Sequence, residues 1–150
     1  MKRYLFVLLI LCVTVISCKD NDDTDQAAID KQKIEAYLAE KGLEAEYTAS
    51  GLYFIIHNGG NTLKPNINST VTVAYKGYFL DGRVFDQSDM IDFRLSQVIK
   101  GWQEGIQLIG EGGSISLLVP SQLAYGTSQK GDIPPNSVLI FDITLFYFSK

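Results

Sequence analysis

Residues 70–86 read TVTVAYKGYFLDGRVFD, and this stretch decides the fold. Apolar and aromatic side chains occupy every second position, as expected for a strand with one face on a core. Val71, Val73, Tyr75, Gly77 and Phe79 share that face. The dipeptide Asp81-Gly82 that follows is a strong signal for a hairpin turn. The stretch therefore predicts a β-strand that folds back into an antiparallel sheet.

Three further segments alternate with the same period of two. They are Leu52–Ile56, Ile115–Val119 and a last strand from Ser137 to Phe148. Between the strands only Ile99–Ile109 has helical spacing, with Trp102, Ile106 and Ile109 on one face. The pattern predicts an α+β fold, in which one short helix lies across an antiparallel sheet.

The first 25 residues have the composition of an export signal and a tether. Lys2 and Arg3 precede an apolar run that is too short to span a bilayer comfortably, which is typical of a secretory signal. Residues 15–18, VISC, resemble the bacterial lipobox, so we expect a lipoprotein signal peptide over residues 1–17 and lipidation of Cys18. A signal peptide with an incidental cysteine is the alternative. Residues 18–25 predict an extended acidic tether, either a surface-display signal or a plain spacer.

Residues 26–47 are expected to form an N-terminal helical extension. Ala, Glu, Lys and Gln dominate residues 26–41, and Gly42 can supply the left-handed residue that ends a helix. Ile34, Tyr37 and Leu38 form a narrow apolar stripe, which predicts light packing or a stalk.

Composition excludes several classes of protein. Hydrophobic residues make up 46% of the chain and charged residues 20%, which indicates a globular domain. Seventeen acidic residues against 13 basic ones give a net charge of −4, which disfavours a nucleic-acid binder. Two cysteines and the single histidine, His57, argue against a zinc cluster or a disulfide scaffold. We expect His57 to be a surface residue, residues 110–113 (GEGG) to be a turn, and no metal or cofactor to be bound.

Aromatic residues are in excess at positions that should face inward. Tyr75, Trp102 and Phe141 are examples, and a purely aromatic core would account for most of them. However, the tyrosine hydroxyls need partners, and Asp86 is an unusual carboxylate to place beside a core. A concave pocket with apolar walls and a few polar groups is the alternative.

Five separated motifs carry a resemblance to a known family. They are VAYKG (73–77), DGRVFD (81–86), QVIKGWQEG (97–105), LAYG (123–126) and IPPNSVLIFD (133–142). Their order and spacing resemble those of FKBP-type peptidyl-prolyl cis-trans isomerases, and residues 50–52 (SGL) resemble the start of the bacterial form of that domain. The resemblance implies an isomerase domain over residues 48–150. Its fold would be an antiparallel, strongly twisted β-sheet wrapped around one short α-helix.

The same resemblance implies a role for each matching residue. The catalytic set would be Tyr75, Phe85, Asp86 and Tyr125. Tyr125 would donate a hydrogen bond to the bound peptide, and Tyr75 would hold Asp86 near the rotating amide. The substrate-binding set would be Phe93, Val98, Ile99, Trp102, Ala124, Ile133 and Phe141, with Trp102 as the pocket floor. Ile91 is the alternative to Phe93.

Two departures from the family pattern affect this site. The chain is short between Asp86 and Phe93, so Arg83 or Arg94 would have to replace the basic residue that often orients the pocket aspartate in eukaryotic relatives. Residues 127–132 lack a histidine and place Asp132 before Ile133, which leaves substrate preference and macrolide affinity open.

The favoured function is therefore a monomeric prolyl isomerase, lipid-anchored in the cell envelope. The expected partners are proline-containing unfolded or exported polypeptides, with macrolide ligands possible and no nucleic acid. A non-catalytic proline-binding module or chaperone is the second hypothesis. A surface structural lipoprotein with an aromatic core is the third.

Overall fold

The computed structural model describes residues 22–149, with side chains from residue 25, and this part contains two α-helices and six strands. Helix α1 spans Asp22–Lys41 and helix α2 spans Lys100–Ile106. The strands are β1 Glu46–Tyr47, β2 Tyr53–Asn58, β3 Thr70–Phe79, β4 Val84–Arg94, β5 Ser114–Val119 and β6 Leu139–Ser149. Short 3-10 helices occur at Leu95–Gln97 and Ser121–Leu123. The predicted signal peptide and Cys18 lie outside the described residues.

All six strands form one antiparallel sheet in the order β1-β2-β5-β6-β3-β4. Strand β3 begins and ends where the alternation predicted. The turn after it is the predicted hairpin, in which Gly82 has a φ of +86° that few other residues adopt. The 110–113 segment is also a turn, with Gly112 at φ +77°.

Helix α2 crosses the inner face of the sheet, which confirms the predicted α+β architecture. Trp102 and Ile106 from this helix join Val71, Val73 and Leu117 from the strands in one apolar core. The helix ends at Ile106, three residues before the predicted end, because the backbone tightens into i→i+3 hydrogen bonds there. Ile109 is nevertheless fully buried, as its spacing predicted.

Helix α1 packs against the outer face of the sheet along its narrow apolar stripe, so it is not a stalk. Ile34 is fully buried, and with Leu38 it contacts a second apolar cluster formed by Tyr53, Leu118, Val138 and Ile140. The helix ends before Gly42, which has the expected positive φ of 62°.

The predicted extended tether is corrected for residues 22–25, because helix α1 begins at Asp22; residues 18–21 lie outside the described residues. Three of residues 22–25 are aspartates, a composition that suits a first helical turn because the helix dipole favours negative charge there. No helix within residues 22–149 combines the length and the apolar character needed to cross a lipid bilayer.

Candidate functional site

A pocket of about 590 Å³ opens on the inner face of the sheet, beside helix α2. Strands β3, β4 and β6 form its walls, and the chain between β5 and β6 forms its rim. The lining residues are Tyr75, Phe85, Asp86, Phe93, Gln97, Val98, Ile99, Trp102, Tyr125, Lys130, Gly131, Asp132, Ile133 and Phe141.

Trp102 lies at the centre of the aromatic cluster. Its ring meets those of Tyr75, Phe93 and Phe141 edge to face, with centroids 5.1, 5.5 and 5.4 Å away. Edge-to-face contacts are favourable because the positive ring edge meets the negative ring face. The indole is 4% exposed, and its Nε1 atom is buried without a hydrogen-bond partner in the described part of the chain.

Two glycines set the depth of this floor. A Cβ atom at Gly101 would lie 2.6 Å from Val119 Cγ1, and one at Gly105 would lie 2.4 Å from Leu117 Cδ2. The backbone of helix α2 at these two glycines therefore packs directly on the Val119 and Leu117 side chains of strand β5. This close approach fixes the height at which Trp102 meets the pocket.

Phe85 and Phe141 form a second pair of rings, with centroids 5.6 Å apart and planes at 85°. Gly77 makes room for them, because a Cβ atom there would lie 2.7 Å from Phe85 Cε2 and 3.0 Å from Phe141 Cε1. A glycine in the middle of a strand usually weakens it, so its presence here is explained by the close approach of these rings.

The polar groups of the pocket centre on Asp86. The Tyr75 hydroxyl donates a 2.6 Å hydrogen bond to Asp86 Oδ2, which confirms the predicted pairing. Burial, and then the hydrogen bond to Asp86, raise the pKa of Tyr75. Burial, and then the charge of Asp86, raise the pKa of Tyr125. Both hydroxyls therefore keep their protons at neutral pH and can donate.

Two residues that were considered for the site from the sequence, Ala124 and Arg83, are not among the lining residues. Ala124 packs against the apolar core, and its role in substrate binding stays a prediction. Arg83 is turned toward the hairpin: its Nε donates to Asp81 Oδ2 at 2.9 Å and its guanidinium lies over the Phe79 ring. Asp86 forms no ion pair within residues 25–149, so Tyr75 holds it without an arginine.

The remaining alternatives are resolved by position. Phe93 lines the pocket and Ile91, on the same strand, does not. Gln97 is a lining residue that sequence reasoning missed, although it is the first residue of the QVIKGWQEG motif.

His57 is exposed, as predicted, with Nε2 2.8 Å from Ser116 Oγ. Within the described residues, no cluster of three potential metal-binding side chains occurs.

Comparison with known proteins identifies the family. A family model described as FKBP-type peptidyl-prolyl cis-trans isomerase matches residues 61–146. The chain is 40% identical over 130 residues to the FKBP-type peptidyl-prolyl cis-trans isomerase FkpA of Escherichia coli strain K12, covering 84% of this chain and 47% of the relative. A probable FkpA from Neisseria meningitidis is 44% identical over 126 residues, covering 79% of this chain and 46% of the relative.

Solved structures agree with this result. The crystal structure of FkpA from Escherichia coli has a TM-score of 0.74 at 39% identity, covering 85% of this chain and 61% of that chain. A peptidyl-prolyl cis-trans isomerase from Pseudomonas syringae has a TM-score of 0.74 at 32% identity, covering 87% and 98%. The chain spans about half the length of the curated relatives it matches. With the motif order, the fold and the aromatic pocket all in agreement, the chain belongs to the FKBP-type peptidyl-prolyl cis-trans isomerase family.

Proposed function

We propose that this chain catalyses cis–trans isomerisation of the peptide bond before proline, and that the pocket around Trp102 is its active site. The observation that carries the proposal is the aromatic floor and wall, in which three rings meet Trp102 edge to face beside the Tyr75–Asp86 pair. The family relationship supports the activity, because the matched relatives are named as isomerases.

The proline ring would rest on Trp102, between the rings of Phe93 and Phe141. A pyrrolidine ring is apolar and has no N–H to satisfy, so it loses little on leaving water. The site must hold this ring still while the residue before proline rotates. Edge-to-face packing serves this purpose, because it locks the aromatic side chains against one another.

Rotation is slow in water because amide resonance sets a barrier of about 18–20 kcal/mol. The planar ground state separates charge between oxygen and nitrogen, and water stabilises that separation. The twisted state has lost the resonance and carries less separated charge. Transfer of the amide to an apolar site therefore favours the twisted state relative to the planar one. Each ~1.4 kcal/mol of this difference raises the rate tenfold.

The polar groups would act on the two carbonyls beside the rotating bond. The Tyr125 hydroxyl, protonated at neutral pH, would donate to a carbonyl of the bound peptide and fix the part that does not rotate. The Asp86 carboxylate, oriented by Tyr75, would lie near the rotating amide. A negative charge there opposes the negative charge that resonance places on the amide oxygen, which again favours the twisted state.

The substrates we propose are proline-containing segments of unfolded or exported polypeptides. The pocket is open along its rim, where Lys130 and Asp132 place both signs of charge, and this suits an extended chain that passes over the site. Its volume lies in the range of pockets that hold drug-sized ligands, so macrolide binding is also part of the proposal. A non-catalytic binding module is less well supported, because the named relatives are enzymes.

The test of the activity is a proline-limited peptide or refolding assay on Tyr125→Phe, Asp86→Ala and Trp102→Ala. We expect kcat/KM to fall about tenfold for the loss of the Tyr125 hydrogen bond and further for the loss of the floor. Tyr147→Phe is the matched control, because Tyr147 is exposed and does not line the pocket. Wild-type rates in all three folded site variants would contradict the proposal, whereas peptide binding without any rate acceleration would favour the binding module.

We further propose that the chain acts as a monomer in the cell envelope, anchored through lipid on Cys18. The lipobox-like sequence VISC at residues 15–18 supports this proposal. In a bacterial host, Cys18→Ser should move the protein from the membrane fraction to the soluble fraction, and Cys12→Ser should not. Membrane attachment that survives Cys18→Ser would contradict the anchor, and a dimeric mass in sedimentation would contradict the monomer.

A further inference from the structure

Helix α1 sends a buried carboxylate to Ser121, in the segment between strands β5 and β6. Asp30 has no exposed side-chain surface, and its Oδ2 atom accepts hydrogen bonds from the Ser121 backbone N–H at 2.8 Å and the Ser121 hydroxyl at 2.6 Å. Its Oδ1 atom accepts from Gln26 Nε2 at 2.7 Å. The Lys33 ammonium lies 4.0 Å away. The carboxylate is therefore well supplied with donors, and two of them belong to a single residue outside the helix.

Ser121 is also hydrogen-bonded to both neighbours of Tyr125. Its carbonyl oxygen accepts the backbone N–H groups of Ala124 at 2.9 Å and Gly126 at 2.8 Å. Gly126 adopts a φ of +58°, which lets the chain turn sharply just after Tyr125. A chain of hydrogen bonds thus runs from Asp30 through Ser121 to the residues on either side of Tyr125.

We propose that Asp30 is a positioning residue, and that helix α1 sets the place of the Tyr125 hydroxyl in the pocket through Ser121. This inference rests on the proposed role of Tyr125 in binding the peptide. The N-terminal extension would then influence the isomerase site although none of its residues lines the pocket.

The chemistry of the contact favours positioning over simple docking. Ile34 and Leu38 already supply apolar surface that holds the helix on the sheet. Burying a carboxylate is unfavourable unless its hydrogen bonds are fully made, and an apolar side chain of similar size would often pack at least as well. A carboxylate differs in being directional, because its donors must lie along fixed lone-pair directions. It therefore fixes where Ser121 lies, which an apolar contact would not.

The test is a double-mutant cycle in the full chain, with kcat/KM for a proline peptide as the readout. We expect Asp30→Ala to lower kcat/KM about as much as Tyr125→Phe, which is about tenfold for one hydrogen bond. Because both changes remove the same interaction, the combined variant should be no slower than Tyr125→Phe alone. Asp30→Asn keeps an acceptor oxygen for Ser121 and should stay close to the wild-type value.

Leu38→Ala is the matched control, because it weakens the packing of the same helix without touching Ser121. It should lower Tm and leave kcat/KM unchanged at a temperature where the variant is folded. If Asp30→Ala does not fold, Ser121→Ala replaces it, since that change removes the hydroxyl bond and keeps the backbone bond; a smaller loss in the same direction is then expected.

A spectroscopic arm separates this inference from the proposed function. In protein labelled with fluorotyrosine, the Tyr125 resonance is identified by its loss in Tyr125→Phe. It should shift or broaden in Asp30→Ala and stay in place in Leu38→Ala. Full activity of Tyr125→Phe would remove the proposed role of Tyr125, while a shifted resonance in Asp30→Ala would still support positioning. If the two losses of kcat/KM multiplied, the double variant would be about a hundredfold slower than the wild type, and the inference would be overturned. A Tyr125 resonance that does not move in Asp30→Ala would overturn it as well.

Discussion

Gly101→Ala tests whether the height of helix α2 on the sheet controls the pocket. The added methyl group would lie 2.6 Å from Val119 Cγ1 and 3.0 Å from its Cγ2. Carbon atoms in ordinary contact lie about 3.5–4.0 Å apart, so the helix must retreat by roughly 1 Å or Val119 must rotate. Val119 is fully buried and branched at Cβ, which leaves it little freedom to rotate. The helix should therefore move.

The expected loss of stability follows from two opposing effects. Overfilling a packed core typically lowers the free energy of unfolding by about 1–3 kcal/mol. Alanine favours a helix over glycine by about 1 kcal/mol, which offsets part of this loss. We expect a net loss of about 1–2 kcal/mol in the free energy of unfolding. A displacement of about 1 Å at the adjacent Trp102 should also lower kcat/KM by at least about tenfold, since the site depends on the position of its floor.

Trp102 provides the assay, because it is the only tryptophan in the chain. Its fluorescence follows urea unfolding, and its response to a bound proline peptide reports pocket occupancy. Gly59→Ala is the matched control: a methyl group there meets no atom within 4 Å, and its φ is not positive. The control should keep its activity and change stability by less than about 0.5 kcal/mol. If Gly101→Ala were as stable and as active as Gly59→Ala, the close approach of helix and sheet would not control the site.

Three further outcomes are expected. Tyr75→Phe should leave the fold intact and lower kcat/KM, because Asp86 loses the 2.6 Å hydrogen bond that orients it; peptide kinetics at fixed pH check this. Glu104→Ala should lower the free energy of unfolding by about 1–3 kcal/mol in urea titrations, since Glu104 Oε2 accepts from the Ser50 and Thr48 hydroxyls at 2.6 and 3.2 Å. Burial raises the pKa of Tyr75, and burial together with the hydrogen bond to Glu35 raises the pKa of Tyr53 to about 12. Unfolded tyrosines release their protons at a lower pH, about 10, than these folded ones do. The free energy of unfolding should therefore fall as the pH rises above about 10. A urea midpoint that is equal at pH 9 and pH 11 would contradict that assignment.

Local sequence patterns predicted the parts of the fold that are locally determined. The ends of strand β3 and the turn at Gly82 follow from alternation and from the backbone freedom of glycine, and both were correct. The lining of the pocket by Phe85 and Trp102 was predicted from family motifs, because alternation alone cannot distinguish a pocket wall from a core. Ala124 belongs to the same kind of motif, but it packs against the apolar core and is not among the lining residues.

The narrow apolar stripe left open whether helix α1 docks on the sheet or forms a stalk, although the sequence held a signal for docking. The alternation predicted over Ile115–Val119 places Ile115, Leu117 and Val119 on the inner face, which leaves Leu118 on the opposite face. Ile140 in strand β6 has the same position on that face, paired with Leu118 in the sheet. Two large apolar residues side by side on a face assumed to be exposed imply a cover, and Ile34 and Leu38 provide it.

Asp30 had a weaker signal, and the reason lies in how polar burial arises. An apolar residue that is buried leaves a periodic trace, because the whole strand or helix must turn one face to the core. A buried carboxylate is tolerated only where specific donors meet it, so its burial depends on the partner as well as on the period of its own helix. The partner here is 91 residues away in sequence. Helical spacing places Asp30 on the same face as Ile34 and Leu38, but only the fold reveals that its carboxylate reaches the segment that carries Tyr125.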